Sequence, residues 1–474
     1  MKRIFFLTIM VFVLGACTDN ISDLNVDTKN PEEVPSGALF ANATVSFFDF
    51  MTNQNVNVNN FRLWSQFWAQ TTYADESNYE LVERSVPRSM WNTMYATVLR
   101  DLQDAKPLID ADEFLSQEEK DNQHAIIAII ETYVYSILVD TFGDVPFSEA
   151  LAGEITPKYD DDAGIYSAII SNLNKAIEDL SGSTGLGASD LIYGGSADQW
   201  KKLGNSLKLR LAFRLADVDP GQSQSLAEAA VSSGVFTSSA DNFTIQYASS
   251  TPNTHPLWVT LVQSGRSDYV AANTVADYMN SLNDPRRAFY FKDLEEDGSA
   301  TGGAYGDNNS YPANSKPGEL MESPTFAGTV FTYSEVEFLL ADAVERGYSV
   351  GGTAEEHYNA GVTASIMDWG GSADDAAAYL AQADVAYSSA PGTWAEKIAL
   401  QKWISLYDQA FEAWNSYKLY DAPVLNIAVQ AQVPTPTRYT YPVTEYTLNG
   451  ENVEAASSAI GGDAKHTPVF WDVN

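Results

Sequence analysis

The segment from Gln117 to Phe142 constrains the fold of this chain more than any other stretch. Apolar residues recur in it at spacings of three and four, and together they cover most of the circumference of a helix. Such a helix lies inside a protein or inside a membrane, and Glu131 and Asp140 disfavour the membrane because charged side chains are costly there. The segment therefore predicts a buried helix within a mainly α-helical protein.

Two regions, at about 87–220 and 333–419, contain further helical spacing. In the first region, the run that starts at Pro87 is predicted to end at Pro107, because proline disrupts a helix interior. The second region ends in one long predicted helix over residues 393–419. Paired helices with small residues at the packing face are typical of tetratricopeptide-type hairpins, although the chain shows no clean repeat of fixed length.

Residues 235–330 differ from the helical regions. Short β-prone pieces such as residues 243–247 alternate with loops, and the spacing predicts one helix from Asn273 to Leu282. Residues 298–323 are rich in glycine and proline and form a long irregular insertion. Because long loops on a rigid scaffold often carry function, we predict that this region forms a loop-rich binding face.

The charge balance and the rarity of cysteine and histidine exclude several classes of function. The chain carries 63 acidic and 27 basic residues, a net charge of −36, whereas nucleic-acid binding requires a basic surface. It has one cysteine and four histidines, so we predict no internal disulfide, no transition-metal site and no cofactor.

Catalytic sequence motifs are missing from the chain, which has no His-Glu-x-x-His, no Gly-x-Ser-x-Gly and no phosphate-binding loop. Carboxylates are too abundant for any pair to identify a glycosidase, so a surface glycoside hydrolase stays open as an alternative. The run of aspartates at 160–162 resembles a set of calcium ligands. The glycine and the spaced oxygens of a calcium loop are absent, and negative charge in the first turn of a helix explains the run.

The N-terminus predicts export. Lys2 and Arg3 precede an apolar run from Ile4 to Leu14, which is too short to span a bilayer and fits a secretory signal peptide over residues 1–16. The run ends in Leu-Gly-Ala before Cys17, which resembles the bacterial lipoprotein cleavage box. The resemblance implies that Cys17 is lipidated and begins a polar tether over residues 17–36. The alternative is an ordinary signal peptide with a chance cysteine.

Aromatic side chains in polar loops are candidates for sugar recognition. A flat ring stacks on the apolar face of a pyranose, while neighbouring planar polar groups bind its hydroxyls. For each ring the alternative is a position over the hydrophobic core, which helical spacing favours for Trp64, Trp91, Trp200, Trp403 and Trp414. The candidate ligand-binding residues are Trp68, Tyr73, Asp75, Asn78, Tyr79, Trp258, Arg266, Tyr269, Tyr305 and Tyr311.

Several segments, in order along the chain, resemble one protein family. Residues 140–150 read Asp-Thr-Phe-Gly-Asp-Val-Pro-Phe-Ser-Glu-Ala, and residues 200–215 contain Asn-Ser-Leu-Lys-Leu-Arg-Leu-Ala. Residues 441–445 read Tyr-Pro-Val-Thr-Glu. These segments resemble SusD/RagB-type outer-membrane lipoproteins. The match departs at residues 415–420, where many relatives carry an arginine-rich run, so any role of those arginines does not transfer.

The resemblance implies a SusD-like fold, in which a scaffold of tetratricopeptide-type helical hairpins carries an irregular binding face in a single domain over residues 37–474. It also implies a non-catalytic lipoprotein on the outer face of the outer membrane. Such a protein captures oligosaccharides and delivers them to a SusC-like TonB-dependent transporter. A peptide-binding member of the same family is the alternative. In the segment at 140–150, Phe142 and Gly143 are interpreted as structural, with Gly143 adopting a backbone angle that other residues avoid.

Overall fold

The computed structural model describes residues 34–473. The signal peptide, Cys17 and most of the tether therefore lie outside the described residues. The chain is mainly helical, as predicted, with short strands between the helices. The α-helices are α1 (Ser36–Thr52), α2 (Phe61–Trp64), α3 (Val86–Trp91), α4 (Arg100–Ala111), α5 (Gln117–Phe142), α6 (Asp162–Asp179), α7 (Ala197–Arg214), α8 (Pro220–Ser233), α9 (Pro256–Trp258), α10 (Asn273–Ser281), α11 (Arg287–Tyr290), α12 (Tyr333–Glu345), α13 (Ala354–Asp368), α14 (Ala373–Leu380), α15 (Trp394–Ser405), α16 (Ala410–Tyr420), α17 (Val443–Leu448) and α18 (Gly450–Ala459).

Helix α5 is the buried helix that the sequence predicts, with the same bounds. It begins at a capping box, in which the side chain of Ser116 accepts from the backbone of Glu119 and the Glu119 carboxylate accepts from the backbone of Ser116. It ends at Gly143, whose φ of 77° lies in the region that favours glycine. The helix is long and apolar enough to cross a membrane, but most of its residues are buried within the protein.

Consecutive helices pack in pairs, and these pairs form the scaffold. Helix α5 packs on α6, α7 on α8, α12 on α13, and α15 on α16. Most of the buried hydrophobic side chains of the described residues form one continuous cluster. The tryptophans with helical spacing, Trp64, Trp91, Trp200, Trp403 and Trp414, all belong to this core, as predicted.

Two predicted helix boundaries are wrong, and tertiary contacts explain both. Helix α4 continues through Pro107 to Ala111, because Leu102, Ala105 and Ile109 are buried against neighbouring helices. The residues before it, Asn92–Leu99, form a π-helix. Packing against the rest of the protein therefore outweighs the loss of one backbone hydrogen bond at the proline.

The single helix predicted over 393–419 is instead divided into α15 and α16. Between them, the guanidinium of Arg62 donates hydrogen bonds to the backbone carbonyls of Tyr407 and Asp408. The hydroxyl of Ser65 donates to the carbonyl of Ala410. These carbonyls are thus satisfied by side chains that lie far away in sequence, and the helix is interrupted.

The strands form small antiparallel ladders that join distant parts of the chain. They are β1 (Trp68–Gln70), β2 (Phe243–Ile245), β3 (Tyr269–Ala271), β4 (Phe291–Lys292), β5 (Lys316–Pro317) and β6 (Gly328–Phe331). Strand β1 pairs with β3 so that Gln70 lies opposite Tyr269. Strand β2 pairs with β6, and β4 with β5. Both β2 and β3 fall within the predicted loop-rich region. Because β1 pairs with β3, it brings a segment from earlier in the chain into contact with that region.

The segment at 140–150 is structural, as interpreted from the sequence. Phe142 is fully buried and packs edge to face on Trp91, with ring centroids 5.2 Å apart. The carboxylate of Asp140 accepts hydrogen bonds from Arg214 at 3.1 Å and from the indole of Trp471 at 2.8 Å. These buried contacts join the end of α5 to α7 and to the C-terminal segment.

Candidate functional site

A cavity of about 530 Å³ opens where the β1–β3 ladder ends. Loops from three parts of the chain meet there: residues 55–57, residues 70–73 with Arg84, and residues 259–269. The ladder sets this arrangement, because the pairing of Gln70 with Tyr269 continues into a backbone hydrogen bond of 2.9 Å from Thr71 to Asp268. We call this cavity the Tyr73 cavity.

Tyr73 is the exposed aromatic ring of the cavity, with 65% of its surface accessible. Its backbone adopts a φ of 54°, a left-handed conformation that is uncommon for a residue with a side chain. The carboxamide of Gln70 holds this conformation by donating to the carbonyl of Tyr73 at 2.9 Å. Large exposed aromatic rings in a defined orientation are suited to stacking on a ligand.

Gln70 also anchors the loop that follows Tyr73. Its amide nitrogen donates to the carboxylate of Glu76 at 2.8 Å, and its oxygen accepts from both the backbone and the hydroxyl of Ser77. Gln70 is itself almost fully buried. One buried side chain therefore fixes the position of the whole Tyr73 loop relative to β1.

The charged groups of the cavity are balanced. Arg266 donates two hydrogen bonds to Asp268, at 2.5 and 2.9 Å. Arg84 forms an ion pair with Glu76, which is buried. Since each guanidinium faces a carboxylate, the cavity presents planar hydrogen-bonding groups without a strong net charge. Asn55 and Asn57 add amides to the lining.

Three of the predicted binding residues line this cavity: Tyr73, Arg266 and Tyr269. Tyr269 offers little surface, because it is buried and its hydroxyl donates to the carbonyl of Gln54 at 2.7 Å. Asp75 is exposed on the same loop as Tyr73 but does not line the cavity. Trp258 is half-buried in α9, immediately before the lining residues Val259 and Thr260.

Three predicted aromatic residues, Trp68, Tyr79 and Tyr305, are buried in the core, which corrects the expectation that they are exposed. The indole of Trp68 donates to the hydroxyl of Tyr407 at 2.7 Å, and the guanidinium of Arg62 lies 4.9 Å from its ring. The rings of Tyr79 and Tyr305 lie 6.4 Å apart inside the protein. Their faces are covered by protein atoms, so they are unavailable for stacking on a ligand from solvent.

Asn78 and Tyr311 occupy structural positions outside the cavity. The amide nitrogen of Asn78 donates to the carbonyls of Ala74 and Gly306, and its oxygen accepts from the backbone of Ala431. It therefore ties three loops together. The half-buried ring of Tyr311 lies 5.2 Å from the ammonium of Lys316.

Comparisons with known proteins bear on the family of the chain. The sequence profile of a SusD-like family, described as "Starch-binding associating with outer membrane", matches residues 28–442. The chain belongs to the SusD-like family. A comparison with curated proteins finds no match for this SusD-like chain.

Solved structures share the SusD-like fold. A chitin-binding protein is 26% identical, with 93% of this chain and 100% of the other covered and a TM-score of 0.80. A chitin-binding SusD homologue from Flavobacterium johnsoniae is 25% identical, with 93% and 99% covered and a TM-score of 0.79. A SusD homologue from Bacteroides uniformis is 26% identical, with 92% and 99% covered and a TM-score of 0.80.

Sequence reasoning did not select several residues that line the Tyr73 cavity of this SusD-like chain, including Asn55, Asn57 and Arg84. A signal was present for the two asparagines, because the loop over residues 52–60 contains five of them. Arg84 carried no comparable signal. It reaches the cavity only because the loop that contains it folds back so that its guanidinium meets Glu76.

The aspartates at 160–162 also have a structural role in the SusD-like chain. Asp161 is the N-cap of α6, where its carboxylate accepts from the backbone of Gly164 at 2.9 Å, as predicted for a helix start. Oxygens of Asp144, Asp161 and Asp162 lie within 4.8 Å of one another. Asp144 accepts from the backbone of Asp162 at 3.0 Å, and burial raises the pKa of Asp144 to about 6. Backbone N–H groups thus stabilise this cluster of carboxylates.

Proposed function

We propose that the chain is a non-catalytic, cell-surface lipoprotein that captures oligosaccharides at the Tyr73 cavity and delivers them to a SusC-like TonB-dependent transporter. The observation that carries this proposal is the exposed ring of Tyr73, which Gln70 holds at the rim of a cavity of about 530 Å³. Cavities of several hundred Å³ are typical of small-molecule sites.

The chemistry of the cavity favours a neutral, polyhydroxylated ligand. The ring of Tyr73 can stack on the apolar face of a pyranose. The amides of Asn55 and Asn57 and the paired guanidiniums of Arg84 and Arg266 offer planar groups for hydroxyls. Because each arginine is already balanced by a carboxylate, an anionic ligand gains little from them.

Chitin oligosaccharides are the first ligands to test. Two of the similar solved structures are described as chitin-binding, at 25–26% identity. Chitin units are neutral N-acetylated sugars, which suits the balanced charge of the Tyr73 cavity. A starch-type oligosaccharide is the second ligand, since the family is described as starch-binding.

We further propose that Cys17 carries the lipid that anchors the protein on the outer face of the outer membrane. The family description, which associates its members with the outer membrane, supports this position. Two or more acyl chains hold a protein stably on a bilayer. We treat residues 37–474 as a single domain, which the continuous cluster of buried hydrophobic side chains supports.

Calorimetry with chitin and starch oligosaccharides tests the ligand. We expect saturable binding, weakened about 2- to 12-fold by Tyr73→Ala, since a stacked aromatic ring contributes about 0.5–1.5 kcal/mol beyond its buried area. The matched control is Tyr446→Ala, which removes another exposed tyrosine outside the cavity. Trp258→Ala tests whether the neighbouring ring extends the site. Unchanged affinity in the Tyr73 variant would place the ligand elsewhere.

Two further measurements separate the alternatives. Release of new reducing ends from the same oligosaccharides, persisting through purification, would identify a glycoside hydrolase. Binding of peptides without binding of any oligosaccharide would identify a peptide-binding member of the family.

Isolation of the protein from native membranes tests the proposed partner. It should recover a SusC-like transporter together with the protein, and consistent absence of the transporter would contradict delivery to that partner.

A further inference from the structure

A second cavity, of about 430 Å³, lies between the β2–β6 ladder and the C-terminal end of α13. The turn between α15 and α16 closes one side of it, through Asp408 and Gln409. It shares no lining residue with the Tyr73 cavity. We call it the Asp368 cavity. Its volume falls within the range of small-ligand sites and accommodates a sugar of one or two rings.

Hydroxyl and amide groups cover much of its wall. Thr244 and Thr329 lie opposite each other across the ladder, with their hydroxyl oxygens 3.2 Å apart. Asn242 and Gln246 continue the polar lining on the same side. Hydroxyls and amides at these positions both donate and accept, as the hydroxyls of a sugar require.

Gln409 provides an independent indication of a ligand. It is 7% exposed, and its side-chain oxygen has no hydrogen-bond partner within residues 34–473. Its amide nitrogen reaches the hydroxyl of Thr332 only at 3.5 Å. A buried amide oxygen without a partner is costly, and a rotation of the Gln409 amide toward the cavity would let a ligand donor satisfy it.

The charge of the cavity is negative. Within the described part of the chain, its lining contains Asp368 and Asp408 but no lysine, arginine or histidine. Asp408 is paired with Arg62 at 3.2 Å. Asp368 accepts hydrogen bonds from the side chains of Ser239 and Asn242, the second at 3.4 Å, and forms no ion pair with the described residues. An anionic ligand is therefore disfavoured here, and a cation is favoured.

The position of Asp368 makes its charge available to a ligand. The side chain is exposed, yet desolvation by surrounding protein raises its pKa, a combination that a concave surface produces. Asp368 is the last residue of α13, where a carboxylate opposes the helix dipole instead of stabilising it. The residue thus contributes negative potential to the cavity without supporting its own helix.

We propose that the Asp368 cavity is a second binding site, which takes an amino sugar, with the ammonium group at Asp368 and the ring hydroxyls at Thr244, Thr329 and Gln409. This site is separate from the proposed oligosaccharide site. It binds a cationic sugar, whereas the balanced charges of the Tyr73 cavity suit a neutral one.

Titration calorimetry with D-glucosamine, D-glucose and D-glucuronate tests the proposal, because these probes share a pyranose ring and differ in charge. We expect glucosamine to bind, glucose to bind more weakly and glucuronate not to bind. Asp368→Asn should weaken glucosamine binding about tenfold, as expected for the loss of one charge-assisted hydrogen bond, and should leave glucose unaffected. The melting temperature should not fall, because the variant removes a carboxylate from a helix C-terminus.

The matched control is Asp374→Asn, which removes the same charge from an exposed residue outside the cavity and should leave glucosamine affinity unchanged. Tyr73→Ala should also leave it unchanged, which separates this proposal from the proposed oligosaccharide site. Absence of glucosamine binding to the wild-type protein would overturn the proposal. Equal affinity of the wild-type and Asp368→Asn proteins, or a loss of glucosamine binding only in Tyr73→Ala, would overturn it as well.

Discussion

The side-chain amide of Gln70 donates a hydrogen bond of 2.9 Å to the backbone carbonyl of Tyr73. This contact joins a buried strand residue to the exposed ring that dominates the proposed oligosaccharide site. It explains how a loop residue with a positive φ keeps a defined orientation. The rigidity of the site thus originates in β1 rather than in the loop itself.

Replacing Gln70 should therefore disturb binding by releasing the loop that carries Tyr73. Gln70→Leu removes the hydrogen bonds to Tyr73, Glu76 and Ser77 and leaves buried polar groups without partners. We expect weaker oligosaccharide binding and a free energy of unfolding lower by about 1–3 kcal/mol, measured by calorimetry and urea denaturation. Tyr73→Ala, by contrast, should weaken binding at unchanged stability. Normal affinity in Gln70→Leu would show that the Tyr73 loop keeps its position without the hydrogen bonds of Gln70.

Phe142 should be essential for stability and not for binding. Its ring is fully buried against Trp91, and Phe142→Ala would leave a cavity in the core. We expect a loss of about 3–5 kcal/mol in the free energy of unfolding by chemical denaturation. Phe114→Ala is the control, because Phe114 is 98% exposed and its loss should be nearly neutral. Similar stabilities of the two variants would refute the structural role of the segment at 140–150.

Asp144 should make stability depend on pH. Burial raises its pKa to about 6 in the folded protein, above the value of 3.8 for an ordinary aspartate. Between these two values the folded state binds more protons than the unfolded state, so the contribution of Asp144 to stability falls as the pH rises from about 4 to 6. In Asp144→Asn this contribution should be absent.

The measurement is urea denaturation of both proteins at several pH values from 4.5 to 7, with the difference in unfolding free energy plotted against pH. The asparagine oxygen can still accept from the backbone of Asp162, so the variant retains that contact. The pKa of Asp162 is also raised, and its charge contributes to the raised pKa of Asp144, so the difference reports the titration of the two interacting carboxylates together. A difference that does not change with pH would contradict the assigned pKa.

Cys17→Ser should release the protein from membranes. We expect the wild-type protein to incorporate labelled palmitate and to sediment with the outer membrane in its native cells, and the variant to do neither. Thr18→Ser serves as the control at the adjacent position. Continued membrane association of Cys17→Ser would argue against a lipid at this cysteine.

The sequence by itself determined the elements whose pattern is local. The apolar spacing of α5 indicated where the helix begins and ends. Its apolar circumference indicated that the helix is buried. The tryptophans at helical spacing were identified as core residues for the same reason. The motifs that resemble the SusD/RagB family indicated the family to which the chain belongs.

Only the tertiary structure decided which loop aromatics are exposed. A loop has no periodicity that relates a residue to solvent, so burial depends on what folds over it. The rings of Tyr79 and Tyr305, which are more than two hundred residues apart in sequence, lie close together and are buried, while the ring of Tyr73 stays exposed to solvent. The end of α15 was decided in the same way, because Arg62 and Ser65 satisfy carbonyls more than three hundred residues away. Such contacts arise from the packed fold, and no local pattern in the sequence encodes them.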